Sequence, residues 1–162
     1  MKKWMKYMIW WMCGCAAGAC FIARQYKKYI TKLQNLSDKH LRLFLLMCRW
    51  VEQKQKGKNI PDYLIRHGYA SIAIYGMNYT GERLLREMRD SQVRVLYAID
   101  RNADEIYSET EIVTMDEEWL PVDAIVVTPV CSFCEIRKQL SGKVDCPVLS
   151  LEEILSDMEG RV

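Results

Sequence analysis

Gly76, Asn78 and Gly81 lie between two stretches of different periodicity, and Asp100 closes a third. Ser71-Ile-Ala-Ile-Tyr75 is rich in strand formers, Leu84, Leu85 and Met88 recur at helical spacing after the turn, and Val93 to Ile99 reads as a second strand. Strand, glycine turn, helix, strand and terminal acid thus fit into about 30 residues. Each position has a chemical use. A first glycine permits a tight turn, and the helix after it offers free N–H groups and the positive end of its dipole to a phosphate. A glycine at Gly81 lets the helix approach the strand closely. Asp100, 19 residues after Gly81, is placed to accept hydrogen bonds from a ribose hydroxyl.

The pattern is G-x-N-x-x-G, with Asn78 where a dinucleotide turn carries its middle glycine. Backbone approaches pyrophosphate there, so a side chain weakens the dinucleotide reading, although Asn tolerates positive φ. The candidate ligand contacts are Gly76, Met77, Asn78, Tyr79, Thr80, Gly81, Asp100, Arg101 and Thr128. The alternative is that both glycines serve packing and that Asp100 and Arg101 form an ordinary strand-end turn.

Cys131-Ser-Phe-Cys134 is a second constellation, a C-x-x-C at an expected strand-to-helix junction. A thiolate there would be favoured by the helix N-terminus, but a structural or incidental role is the simpler reading. Zinc would need two more ligands, and no second C-x-x-C or nearby histidine pair provides them, so no metal is expected. The two histidines, His40 and His67, lie away from the turn. No Tyr-x-x-x-Lys, P-loop, Ser/His/Asp set or carboxylate pair stands out, and no length remains for a substrate domain. A catalyst acting alone is therefore disfavoured.

The elements around these residues alternate. A helix is expected from about Asp38 to Lys56, marked by Leu41, Phe44, Leu45, Cys48 and Val51, capped by Ser37 or Asp38 and ended by Gly57. A short helix over 60–67 carries Pro61 in its first turn, and its Tyr63 and Leu64 should pack on the domain beyond Gly68. Past Asp100, strands are expected within 106–115, over 123–128 and over 147–150. A helix over 133–140 separates the last two, and a final helix over 151–158 is capped by Ser150 with Glu153 completing a capping box. The fold expected is α/β: a small Rossmann-like parallel sheet of four or five strands, order 3-2-1-4-5, preceded by helices. A ligand would lie outside the carboxyl ends of the strands, near 76–80, 100–102 and 128–132.

Charge divides the 162-residue chain. Residues 1–58 hold 13 Lys/Arg against 2 acids, and the other 104 hold 10 against 19, so a net +2 is the sum of about +11 and −9. The balance argues against a nucleic-acid partner. Tyr7 to Ala23 is a 17-residue uncharged run, about 26 Å as helix, between Lys2-Lys3-Trp4-Met5-Lys6 and Arg24. A transmembrane helix is the expectation, with a cleaved signal or lipoprotein leader as rivals. The basic residues after it favour a cytoplasmic C-terminal part, and Cys48, Cys131, Cys134 and Cys146, with no evident disulfide framework, agree weakly with a reducing compartment. Gly14 and Gly18 would let two membrane helices approach closely as a homodimer. The organisation expected is a single-pass cell-membrane anchor over 1–25, basic juxtamembrane and connecting helices over 26–69, and a Rossmann-like domain over 70–162.

Ile74-Tyr75-Gly76-Met77 through Gly81-Glu82, Ala98-Ile-Asp100-Arg-Asn-Ala103, Asp123-Ala-Ile-Val-Val-Thr128 and Val144 to Leu155 together resemble a known type of domain, and so does Trp50 to Lys58 upstream. The likeness, over about residues 41–156, is to small Rossmann-like domains of bacterial polysaccharide-biosynthesis proteins, akin to the nucleoside-binding halves of nucleotide-sugar epimerases and dehydratases. It implies an NAD(P) or nucleotide-sugar ligand and glycan-assembly enzymes as partners. It transfers no catalytic residue. The function expected is that of a membrane-anchored sensor or accessory subunit that binds a nucleotide-type ligand. The alternatives are a ligand-free interaction scaffold, and an oxidoreductase or epimerase completed by a partner chain.

Overall fold

A computed structural model of the chain describes residues 2–160, with the side chains of Trp4 and of residues 21–160. The order of elements is α1 (Lys2–Gln55), α2 (Ile60–Arg66), β1 (Ser71–Tyr75), α3 (Tyr79–Met88), β2 (Arg94–Ile99), β3 (Ile112–Val113), β4 (Ala124–Val127), α4 (Phe133–Leu140), β5 (Val148–Ser150) and α5 (Leu151–Gly160). A single 3₁₀ turn, Ala103–Glu105, comes after β2. The chain divides into two compact units, Met1–Leu41 and Arg42–Val162.

The second unit is α/β. All four strand pairings are parallel, and the five-stranded sheet runs β3-β2-β1-β4-β5, as expected. The central strands are buried on both sides. Ile72 to Tyr75 and Ala124 to Val127 are at most 5% exposed, which is why their sequences are unbroken apolar runs rather than alternating ones. On one face, Ile72, Ile74, Ala98 and Val126 meet Leu46, Trp50, Leu64, Leu84 and Leu155 from the helices. On the other face, Ala73, Tyr97, Ile99 and Ile125 meet Ile136 and Leu140 of α4, with Trp119 from the loop before β4.

The expected helix start at Ser37 or Asp38 is overturned: α1 passes through both residues. A cap residue starts a helix only where the chain before it leaves helical geometry, and no Gly or Pro lies between Ala19 and Lys56 to cause that. The stripe that marks the helix in sequence is also not the stripe it buries. Leu41, Phe44, Leu45 and Val51 are all more than half exposed, whereas Leu46, Trp50 and Gln53 are buried with Leu43 and Met47 beside them. Two apolar series share this segment, and periodicity alone cannot choose between them. At the other end of the sheet, Ser150 pairs with Val127 as the last residue of β5, and α5 begins on the next residue.

Gln53 is fully buried, and neither atom of its carboxamide has a partner among the described residues. Two unpaired polar atoms in an apolar setting cost stability. Gln53→Leu is therefore expected to raise stability by about 1–2 kcal/mol. A higher urea midpoint at unchanged slope would show it; a lower midpoint would mean that the amide is solvated.

Asp123 ties the start of β4 to that of β1. Its Oδ2 accepts from the Ser71 hydroxyl at 2.8 Å and from the backbone N–H groups of Ser71 at 2.7 Å and Ala70 at 3.0 Å. The Ser71 hydroxyl first, then these N–H groups, hold its carboxyl below the usual aspartate range. A depressed carboxyl stabilises the fold fully above its unfolded value, near 3.9, and loses that effect as pH falls through the lower folded value. Asp123→Asn should flatten the fall in unfolding midpoint below about pH 4. Parallel curves for the two proteins would exclude this role.

Among the described residues, no helix is long and apolar enough to cross a membrane. The expected span, 7–23, lies mostly outside the described side chains, as do Gly14 and Gly18.

Candidate functional site

The turn after β1 is built around two glycines. Gly76 adopts φ +92, a conformation that side-chain-bearing residues rarely take. It also runs close under the next strand's continuation, since a Cβ there would stand 2.8 Å from Pro129 Cγ. Its N–H donates to Ile99 O at 2.8 Å, which joins the turn to the end of β2. Gly81 sits against the turn so tightly that an added Cβ would lie 2.1 Å from Gly76 O. The close helix-to-strand approach anticipated for Gly81 is therefore present.

Asn78 needs no positive φ. It is extended, with φ −77, and serves as the N-cap of α3: its Oδ1 accepts from Thr80 N at 2.9 Å and Gly81 N at 3.3 Å. The carboxamide thus takes up two of the N–H groups that a phosphate at this helix end would use. The N–H of Tyr79 precedes them in the first turn, where a helix supplies no acceptor of its own.

Asp100 is half-buried at the end of β2. Its Oδ2 accepts from Met77 N at 2.8 Å and its Oδ1 from Asn102 N at 3.0 Å. The carboxylate therefore stands at the glycine turn, on the side of the sheet end where a ribose would be met. Arg101 is exposed beside it, and Tyr79 is 78% exposed on the first turn of α3.

The remaining candidates face inward. Met77 packs into the core, and Thr80 is buried. Thr128, also buried, donates its hydroxyl to Gly76 O at 2.7 Å and lies 3.2 Å from Tyr75 O, which locks β4 to the turn. The structure thus brings Gly76, Asn78, Gly81, Asp100 and Thr128 together. It turns Asn78, Tyr79, Asp100 and Arg101 outward and leaves Met77, Thr80, Gly81 and Thr128 as supports. A hollow of about 450 Å³ runs along α3 from Met77 to Tyr107, with Arg86 and Arg89 on its wall.

Cys131 and Cys134 are exposed free thiols at the start of α4, and Cys48 is also exposed and free. Burial pushes the Cys146 thiol above its ordinary range. Among the described residues, no cluster of three His, Cys, Asp or Glu side chains is arranged to hold a metal ion.

Sequence reasoning missed two features. One is Glu87, whose nearly buried carboxylate accepts from Trp50 Nε1 at 2.7 Å, Ile60 N at 3.0 Å and Lys54 Nζ at 2.9 Å. The other is a cavity of about 560 Å³ at the amino ends of β4 and β5, lined by Tyr97, Trp119, Leu120, Lys143 and Cys146. Three of the polar groups around it are engaged with the protein, and the carboxylates of Glu118 and Asp145 also line it. The Tyr97 hydroxyl donates to Leu120 O at 2.9 Å, Trp119 Nε1 to Thr114 O at 3.0 Å, and Lys143 Nζ to Met115 O at 2.5 Å. Burial pushes the Tyr97 phenol up to about 12, so it stays neutral there. The only sequence signal was the helix-free stretch before β4 carrying Trp119-Leu-Pro121. No family model, curated protein or solved structure matches this chain.

Proposed function

We propose that the α/β unit binds a nucleotide-type ligand, NAD(P) or a nucleotide-sugar, over the carboxyl ends of β1, β2 and β4. The observation that carries this is the Asp100 carboxylate 2.8 Å from Met77 N, at a turn whose Gly76 and Gly81 are packed against each other. Asp100 would hold ribose hydroxyls, with Arg101 and Tyr79 at the rim. The Tyr79 N–H and the exposed side of Asn78 would meet the phosphate. With two N–H groups already taken by Asn78, a pyrophosphate has fewer donors than in an all-glycine turn, and this applies equally to a dinucleotide and to the diphosphate of a nucleotide-sugar.

The sequence carries no recognised catalytic acid/base motif, and the role that fits is that of a sensor or accessory subunit. Residues 7–23 would anchor the chain in the cell membrane, with the α/β unit on the cytoplasmic side. The resemblance to polysaccharide-biosynthesis domains suggests glycan-assembly enzymes as its partners. A second reading, a ligand-free interaction scaffold, draws on the inward engagement of Thr128 and the self-capping by Asn78.

Melting temperatures of the full chain with NAD(H), NADP(H) and UDP-sugars separate the two. Binding to the native state alone, with ligand at 100 times its Kd, stabilises by about 2.7 kcal/mol, enough for a shift of several degrees. A flat response to all of them favours the scaffold, and turnover by the chain alone would overturn the non-enzymatic role.

A further inference from the structure

Ile22, Tyr26, Tyr29, Leu33 and Leu36 are 68, 66, 60, 45 and 51% exposed along one part of α1. Their spacing is 4, 3, 4 and 3, and His40 comes 4 residues later. That is the a/d alternation of a heptad, with Tyr26, Leu33 and His40 at a and Ile22, Tyr29 and Leu36 at d. Within residues 22–40 the outer positions b, c and f hold Arg24, Lys27, Lys28, Thr31, Gln34, Asn35 and Asp38, without an apolar residue among them, and exposed Phe21 and Leu41 lie just beyond at c and b. Among the described residues, the unit Met1–Leu41 contributes no element other than α1 to cover the stripe.

We propose that a second copy of this chain covers it, in a parallel two-stranded coiled coil over residues 22–40. Three features choose this occupant. First, the stripe keeps to a and d, with Ile30 the one large apolar side chain at a flanking position, which is the narrow seam of a coiled coil rather than the broad face of a helix lying on a bilayer. Second, the flanking charges fit a parallel pair. Gln25, Lys32 and Lys39 occupy g, and Ala23, Ile30 and Ser37 occupy e. In a parallel dimer each g residue meets an e residue of the other copy, so Lys32 faces Ser37. In an antiparallel dimer g meets g, and Lys32 would face Lys32. Third, the cations at b, c and f point away from the seam, so two strongly basic segments can meet without placing like charges across it.

Nineteen residues give about 28 Å of contact, and a polar His40 at an a position trades stability for register. The dimer is accordingly concentration-dependent. It requires neither a nucleotide ligand nor the close approach expected at Gly14 and Gly18.

Sedimentation equilibrium of the full chain in a mild detergent tests it. A reversible monomer–dimer equilibrium is expected, with Leu33→Lys weakening it about tenfold or more and His40→Leu tightening it about tenfold. Gly14→Ile should leave the dimer in place. Both seam positions are exposed, so the α/β unit is undisturbed by these changes. A monomer at every concentration for both the natural chain and His40→Leu would overturn the proposal. So would a dimer indifferent to Leu33→Lys but lost in Gly14→Ile. So too would a Leu33→Lys protein that loses binding to phosphatidylglycerol vesicles at unchanged mass, which would assign the stripe to lipid.

Discussion

Gly81→Ala is expected to destabilise the α/β unit by about 3 kcal/mol, the upper part of the range for overpacked interiors. The new methyl group would sit 2.1 Å from Gly76 O and 3.1 Å from Gly76 C, so the obstacle is backbone rather than the tip of a flexible side chain. Gly76 cannot retreat freely. Its oxygen accepts from Thr128 at 2.7 Å, its N–H donates to Ile99 O at 2.8 Å, and Pro129 closes its other side. Moving it disturbs β2 and β4 together. For a unit of this size the melting temperature should fall by about 10–15 °C. Gly142→Ala is the internal control, since an added Cβ there meets nothing within 4 Å. If thermal unfolding places both variants within a degree or two of the natural chain, the helix does not press on the turn as described.

Glu87→Ala carries the second large effect, again about 3 kcal/mol, the cost of leaving buried partners of a charged group unpaired. The Glu87 side chain is only 7% exposed and joins three segments: the end of α1 through Trp50 and Lys54, the first N–H of α2 at Ile60, and α3 on which it sits. Removing it strands the Trp50 indole N–H and the Ile60 N–H, both on residues at most 5% exposed. Glu87→Gln keeps an acceptor but loses the charge and should cost about half as much. A double-mutant cycle with Trp50→Phe in denaturant unfolding measures the contact directly. Additive effects would show that the indole bond contributes nothing.

The sheet could be read in the sequence because its strands are buried on both faces. Ile72 to Tyr75 and Ala124 to Val127 announce themselves as apolar runs between turn residues, and parallel crossovers then leave few orders open. The glycine turn was legible for the same kind of reason, since close backbone approach admits only glycine at Gly81. The role of Asn78 was only half legible. An Asn before a helix is a cap by its chemistry, yet its place in the glycine pattern suggested a strained turn instead.

Other features were hidden. Leu43, Leu46, Met47 and Trp50 compete with Leu41, Phe44, Leu45 and Val51 for the inner face of α1, and only packing against Leu64 and Leu155 decides between them. Glu87 reads as a solvated helix residue because its partners lie 27, 33 and 37 positions away. Thr128 looked like a ligand contact because it ends a strand, but its hydroxyl is satisfied by the turn.

The measurement closest to the central claim is an equilibrium titration of the full chain with NAD(H), NADP(H) and UDP-sugars, repeated with Asp100→Ala. Saturable binding by at least one of them is expected, weakened about tenfold or more, some 1.4 kcal/mol, by the substitution. Absence of binding by all of them, or an affinity unchanged by Asp100→Ala, would contradict a nucleotide site at the Gly76 turn.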